Sequence, residues 1–412
     1  MTSYLLFIIQ CVPLAVLGFF LAYLAGLSLL TLIGRNRCPP TASQMRKFAL
    51  VVPAHNEEMV IEKTLVSLLD IAYPRDRFDI VVVADNCTDR TAEIARGLDV
   101  QVYERFDEAE RGKGFALRWI FDQLLASPAG YDACFVVDAD SVVSEDLLTV
   151  LNDYLAQGAE AIQCSDMVAS QPDAWNVEVT RIGFMLHNYV RPLGRRLIGC
   201  PVNLYGNGMC FTADTLRRVP WQAYSLTEDL EYGLILLLDD IPVVFAPEAG
   251  VLATMPHQAS NAVSQHTRWA VGQYPLMYKY TGRLLGAALR RFSYKPFDAW
   301  VQLITPAFVD MMVVALLMLG LSIVQWFIGI AYADVLTGAW AMVIGLGVFH
   351  VVVGLFAAGA DRLMYKAFLH FPRYALWKVL VMTKIVNRGQ SKHWIRTTRE
   401  QSIAPSGTDE CK

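Results

Sequence analysis

The chain has 412 residues, 54% of them hydrophobic and only 18% charged. Soluble globular proteins lie nearer half apolar and a quarter charged. The excess points to a folded domain joined to membrane segments, and it excludes a disordered chain. A net charge of −4 offers no basic face for nucleic acid.

None of the eight cysteines forms a CxxC pair, and several sit in apolar runs. This argues against a disulfide framework or a zinc ribbon and for buried free thiols in a reducing compartment.

The first apolar block runs from about Tyr4 to Ile33 without a charged residue. It exceeds the roughly 20 residues needed to cross a bilayer. Nothing basic precedes it, and it is too long for a cleaved leader. Arg35, Arg37, Arg46 and Lys47 follow it. The positive-inside rule then sets the N-terminus outside and the following domain in the cytoplasm.

From Phe48 to Arg291 short β-rich runs alternate with helical patterns. Strands are expected at Phe48–Pro53, Phe78–Ala84, Val100–Tyr103 and Ala133–Val137. Helices are expected at Glu57–Asp70, Thr88–Arg96, Gly114–Leu125 and Glu145–Leu155, with Thr88 or Asp89 suited to cap the second. Continuous apolar strands separated by helices imply an α/β fold with a parallel sheet covered on both faces. In such sheets ligands bind beyond the carboxyl ends of the strands.

Those strand ends carry His55-Asn56-Glu57, Asp85-Asn86-Cys87-Thr88-Asp89 and Asp138-Ala139-Asp140. The dinucleotide GxGxxG and the P-loop GxxxxGK[ST] are both missing. Strand alternation turns Asp138 and Asp140 the same way, suiting them to Mg²⁺ or Mn²⁺, although a capping pair at a turn would look the same. Asp85 suits a base imide or ribose hydroxyl, or simple turn chemistry. Arg111-Gly112-Lys113-Gly114 precedes a helix, where Lys113 suits a phosphate and a flexible loop is the plain alternative. Thr227-Glu228-Asp229 opens a leucine-rich helix. Asp229 suits a general base, while a capped helix start has the same pattern. Gln265, Arg268 and Trp269 share one face of a helix from Val263 to Arg290. That face suits a diphosphate and a sugar, or a membrane-interface helix with a snorkelling arginine.

The second apolar block, about Trp300 to Ile330, contains Asp310, expected near the end of a tilted helix. The third, about Val335 to Ala360, is uncharged. The link between them holds no Lys or Arg, whereas Arg362, Lys366, Arg373, Lys378, Lys384, Arg388, Lys392, Arg396 and Arg399 follow the third. Three crossings satisfy this charge pattern, with the tail returned to the cytoplasm beside anionic headgroups. Tyr374–Val386 reads as an interfacial helix.

The ordered set of D, DxD, TED and QxxRW on an α/β domain flanked by membrane spans resembles the family 2 glycosyltransferases. These include cellulose, hyaluronan and chitooligosaccharide synthases and ceramide glucosyltransferase. The likeness covers Phe48–Tyr274 by motif and the spans by layout. It implies a GT-A domain, a nucleotide-sugar donor and inversion at the anomeric carbon. By this resemblance His55, Glu57, Asp85, Lys113, Asp138 and Arg268 bind the donor, and Asp138 and Asp140 serve a Mg²⁺ or Mn²⁺ ion. Asp229 is the catalytic base, and Gln265, Trp269 and Asn207 meet the acceptor.

The expected organisation is a transmembrane helix at 1–34, the GT-A domain at 48–255 and an interfacial helix region at 256–296. Two transmembrane helices follow at 297–360, with a basic tail at 361–412. The expected site is the inner face of the plasma membrane, reached by several crossings. Expected partners are the donor, a saccharide or lipid-linked acceptor and the bilayer, with a homo-oligomer or envelope-assembly partners left open. Three spans are few for walling a polysaccharide channel, and the continuation Ala270-Val-Gly-Gln-Tyr274 is less basic than in some relatives. Envelope saccharide synthesis and single-sugar glycolipid synthesis therefore both remain open. A non-catalytic scaffold of the same fold is the third alternative.

Overall fold

The computed structural model describes residues 2–34, 39–254 and 259–374, with side chains left out at 2–6, 34 and 259–271. It opens with helix α1 (Thr2–Gly34), whose stretch Phe7–Ile33 is long and apolar enough to cross a membrane. The domain follows with β1 (Phe48–Ala54), α2 (Ile61–Leu69), β2 (Phe78–Asp85), α3 (Thr91–Arg96), β3 (Gln101–Arg105), α4 (Lys113–Ala126) and β4 (Ala133–Val136). These four strands and three helices lie where the sequence patterns put them, within a few residues. Asp89 rather than Thr88 serves the start of α3, its Oδ1 accepting from Thr91 N at 3.0 Å and Thr91 Oγ1 at 2.5 Å.

Then come β5 (Ser141–Val143), α5 (Leu147–Ala156), β6 (Ala161–Val168), α6 (Trp175–Phe184), one π-helical stretch (Met185–Val190), α7 (Arg191–Leu197), β7 (Met209–Thr212), α8 (Ala213–Arg218), α9 (Glu228–Leu238) and β8 (Val243–Ala253). All strands join one sheet in the order β3-β2-β1-β4-β7-β6-β8-β5. β1, β2, β3 and β4 pair in parallel, as do β6 and β8, but β7 runs antiparallel to both β4 and β6, and β5 antiparallel to β8. The sheet is thus mostly parallel, as expected of the fold, with β5 and β7 running against it. The strands responsible are short or interrupted by polar residues, so their period is weak in sequence.

Both faces of the parallel half are buried, and alternation divides its residues between them. Phe48, Leu50, Val52, Ile80 and Val82 face one core, while Ala49, Val51, Val81 and Val83 face the other. This is why the strands read as unbroken apolar runs.

The chain leaves the domain through α10 (Ala259–Arg290) and α11 (Tyr294–Ile304), then enters α12 (Phe308–Phe327) and α13 (Ala333–Ala357). Each of these last two is long and apolar enough to cross a membrane. The expected single block from Trp300 is therefore corrected. Pro306 cannot continue a helix, and the backbone turns extended at Thr305 and Ala307, cutting Trp300–Ile304 off into α11. Asp310 lies in the first turn of α12, at the helix end as expected. Beyond α14 (Arg362–Ala367) the interfacial helix expected from Tyr374 lies, but for Tyr374, outside the described residues.

A buried ion pair fastens the domain to the apolar helices. Arg195 of α7 donates from Nε and Nη2 to Asp298 of α11 at 2.9 and 2.5 Å, and Tyr23 of α1 donates to the same carboxylate at 2.7 Å. Beside it α7 and α1 nearly touch, since a Cβ on Gly194 would collide with the Leu27 carbonyl. Removing one member of such a pair strands a buried charge. Asp298→Ala should therefore cost about 3–5 kcal/mol, read as a lower melting temperature of the solubilised full-length chain.

Candidate active site

The carboxyl ends of β1, β2 and β4 gather two neighbouring groups of polar side chains. In the first, β1 ends at Ala54 and β2 at Asp85, and the next residues lock the turns. Asn56 and Asn86 take left-handed backbone angles, φ 57 and 50. Asparagine adopts that region more readily than most residues. Asn56 Oδ1 accepts from Thr88 N at 2.7 Å, and Asn86 Oδ1 from Asp107 N at 2.9 Å. His55 Nδ1–H donates to the Asp85 carbonyl at 2.7 Å, and Glu57 N–H donates to Thr91 Oγ1 at 2.7 Å.

The Asp85 carboxylate is buried against Arg105, its register partner on β3, at 2.8 Å. Arg105 also donates to Asp107 at 3.1 Å and to the Glu110 carbonyl at 2.8 Å. It therefore pins the loop leading to Lys113. Sequence reading missed Arg105, because only strand register brings it beside Asp85, 20 residues away.

The second group surrounds Lys113. Gly112, at φ +125, turns the chain into α4 so that Lys113 is its first residue. Lys113 Nζ donates to Asp138 Oδ1 and to the Gly206 carbonyl, the latter at 2.6 Å. Burial opposes the ammonium charge, but Asp138, Glu228 and Asp229 outweigh it and hold the lysine above its usual pKa. Asp229 lies one residue into α9 and accepts from Leu230 N at 2.8 Å. Burial lifts its carboxyl above the ordinary range, and Lys113 opposes the lift.

Gly206, at φ +83, closes this side. A Cβ there would sit 3.0 Å from Asp229 Oδ2 and 3.7 Å from Lys113 Nζ. Side chains are disfavoured at such angles, so glycine meets both demands.

Asp138 and Asp140 do not lie on a strand, because β4 stops at Val136, and the alternation argument is corrected accordingly. They occupy the turn into β5. Asp138 N donates to Asn207 Oδ1 at 3.0 Å, and Asp140 accepts from Ser141 Oγ at 3.2 Å. A third carboxylate, Asp166 on β6, is buried nearby. Burial first, and then Asp138 and Asp140, push it well above its usual pKa. Asn207 donates to Asp166 and to Ser141 Oγ, both at 3.0 Å, and Asn188 donates to Asp166 at 3.0 Å. The described polar contacts of Asn207 thus hold the acidic edge together. Asp166 was absent from the sequence reading, because Ser-Asp inside an apolar strand carries no motif.

Thr227 is the residue before α9, but its hydroxyl makes no cap. It donates instead to the Gly272 carbonyl of α10 at 3.2 Å. A Cβ on Gly272 would come within 2.7 Å of Thr227 Cγ2. α10 therefore lies directly on the start of the Asp229 helix. Gln265, Arg268 and Trp269 belong to α10, but their side chains lie outside the described residues. Among the described residues no group of three or more His, Cys, Asp or Glu side chains is arranged to hold a metal ion.

Asn207→Ala would remove three hydrogen bonds and leave Asp166 and the Asp138 amide short of partners. The expected loss is about 1–3 kcal/mol, checked by thermal melting against the wild-type chain.

The family model described as "Glycosyltransferase like family 2" matches residues 45–272. A beta-monoglucosyldiacylglycerol synthase of Synechocystis is 30% identical over 244 residues, covering 56% of this chain and 48% of that protein. A poly-beta-1,6-N-acetyl-D-glucosamine synthase of Staphylococcus epidermidis is 24% identical over 244 residues, covering 57% of each. The alignments thus span only about half of these relatives. A solved mannosyltransferase from Pyrobaculum calidifontis, in complex with GDP-Man and Mn²⁺, is 17% identical with a TM-score of 0.48, covering 85% of this chain and 99% of that one. With a family match over more than half its length, the chain belongs to glycosyltransferase-like family 2.

Proposed function

We propose that the protein is an inverting glycosyltransferase. It moves a sugar from a nucleotide-sugar to an acceptor hydroxyl presented at the cytoplasmic face of the membrane. The observation that carries this reading is the meeting of Lys113, Asp138 and Asp229 against Gly206. A half-buried carboxylate with a raised pKa is suited to take a proton from a hydroxyl. A lysine held charged beside it is suited to stabilise a leaving diphosphate. In this reading the diphosphate takes over the Lys113 contact that Asp138 makes here. Asp85 and His55, with Glu57 beside them, shape the nucleoside side, and Gln265, Arg268 and Trp269 on α10 cover the diphosphate and acceptor.

The carboxylates of Asp138 and Asp140 are hard oxygen donors suited to Mg²⁺ or Mn²⁺. Their fit is that of a site completed by substrate oxygens and water, since the described side chains make no full ligand set. When bound, the ion would neutralise charge on the leaving diphosphate in place of a general acid.

The arginines and lysines after α1 and α13 favour a cytoplasmic domain. The acceptor is then a saccharide or polyprenyl-linked saccharide. The resemblance to the glucosyldiacylglycerol synthase supports a second reading, transfer of one sugar to a lipid. Product analysis by mass spectrometry, with the full-length chain in membranes and a panel of UDP- and GDP-sugars, separates the two. An oligosaccharide ladder favours the first and a single-sugar lipid the second. No release of nucleoside diphosphate with any lipid extract would refute both.

Asp229→Asn should lower turnover about 10²–10⁴-fold while nucleotide binding persists, checked by product release and calorimetry. Asp140→Ala should weaken donor binding as well. Since Asp229 must be ionised to act, its raised pKa predicts an acidic limb of kcat/KM above the ordinary carboxylate range. Lys113→Met removes the cation opposing that rise. The limb should move to still higher pH, as a pH-rate profile would show.

A further inference from the structure

α7 begins with a cation that the mechanism above does not use. Arg191 follows the π-helical stretch Met185–Val190, a rare geometry often found at functional sites. Its Nε is buried without a hydrogen-bond partner, and no ion pair reaches its guanidinium among the described residues. By contrast, Arg195, one turn on, is satisfied by Asp298. The groups that act on Arg191 are Tyr205 and Tyr23, and it acts in turn on His187 and His350. None of these is a carboxylate. Burial lowers Arg191 to about 10, so it remains charged at neutral pH.

A half-buried charge without a counter-ion costs free energy unless something anionic meets it. The location narrows what that is. Tyr23 belongs to α1 and His350 to α13, two of the membrane-length helices, and Ser28 of α1 joins His350 at 2.6 Å. On the other side Tyr205 adjoins Gly206, and its ring meets His187 edge-on at 5.4 Å. Asp229 and Asp166 both act on the Tyr205 hydroxyl. The guanidinium thus belongs to the short helix that packs on α1 at Gly194, and Tyr205 is within electrostatic reach of both it and the base.

We infer that Arg191 binds the phosphate group of a membrane amphiphile on the side of α7 that adjoins the membrane-length helix α1. A planar guanidinium matches phosphate oxygens in pairs, which a lysine does not. This deepens the proposed function, because it rests on that reading for the meaning of Tyr205 and Asp229. The phosphate could belong to a lipid-linked acceptor or to a bilayer phospholipid.

Native mass spectrometry of the full-length chain in detergent distinguishes these sources. A long-chain polyprenyl phosphate, phosphatidylglycerol and neutral diacylglycerol are titrated separately. Saturable binding of the polyprenyl phosphate identifies an acceptor site, and of phosphatidylglycerol a headgroup site. Arg191→Gln should weaken that phosphate lipid at least tenfold, Arg191→Lys should weaken it less, and diacylglycerol should be indifferent to both. Equal binding by wild type and Arg191→Gln would overturn the assignment. If Arg191→Gln fails to fold, the wild type decides alone: no saturable preference for either phosphate lipid over diacylglycerol overturns it. Nucleotide affinity is read on the same samples. Lipid indifference with nucleotide bound sinks the Arg191 site alone, whereas failure to bind any nucleotide-sugar sinks the transferase reading and leaves the lipid result standing.

Discussion

One ammonium group holds the acidic edge in register. Lys113 Nζ reaches the turn after β4 through Asp138 and the β7-side loop through the Gly206 carbonyl, and its charge acts on Asp229 at the start of α9. These segments are distant in sequence and all carry carboxylates or carbonyls. Without a cation between them, like charges in a shielded space would repel. The constraint reaches the backbone. Gly206 must be left-handed and side-chain-free for the carboxylate of Asp229 and the ammonium of Lys113 both to approach it.

The same edge is tied to the membrane-length helices by two routes of different chemistry. One is polar and buried, running from Tyr23 on α1 through Asp298 on α11 to Arg195 on α7. The other combines close packing with a more exposed ion pair. α10 rests on Thr227 at Gly272, with Lys279 of α10 paired to Glu231 of α9 at 2.6 Å. The helix bearing Asp229 is therefore clamped by the element that leads into α11 and α12.

Charge at this junction is unevenly balanced. Carboxylates crowd one side of Tyr205, where Asp166 stays protonated more readily than an ordinary aspartate. Cations crowd the other, where Asp298 offsets Arg195 but not Arg191. Tyr205 is within reach of both fields.

The sequence by itself determined the apolar strands, the three long apolar helices and the residues Asp85, Lys113, Asp138 and Asp229. Each announces itself locally, by an unbroken run of buried side chains or by a charged group where a strand ends or a helix begins. Only the tertiary structure decided the antiparallel β7 and β5, whose few residues carry too little periodicity, and the break at Thr305–Pro306, which hydropathy averages over. It alone decided the roles of Arg105, Asp166, Asn207 and Arg191. The reason is physical: a buried polar group is defined by its partners, and these partners come from strands and helices that meet only when the sheet and the helix bundle close together.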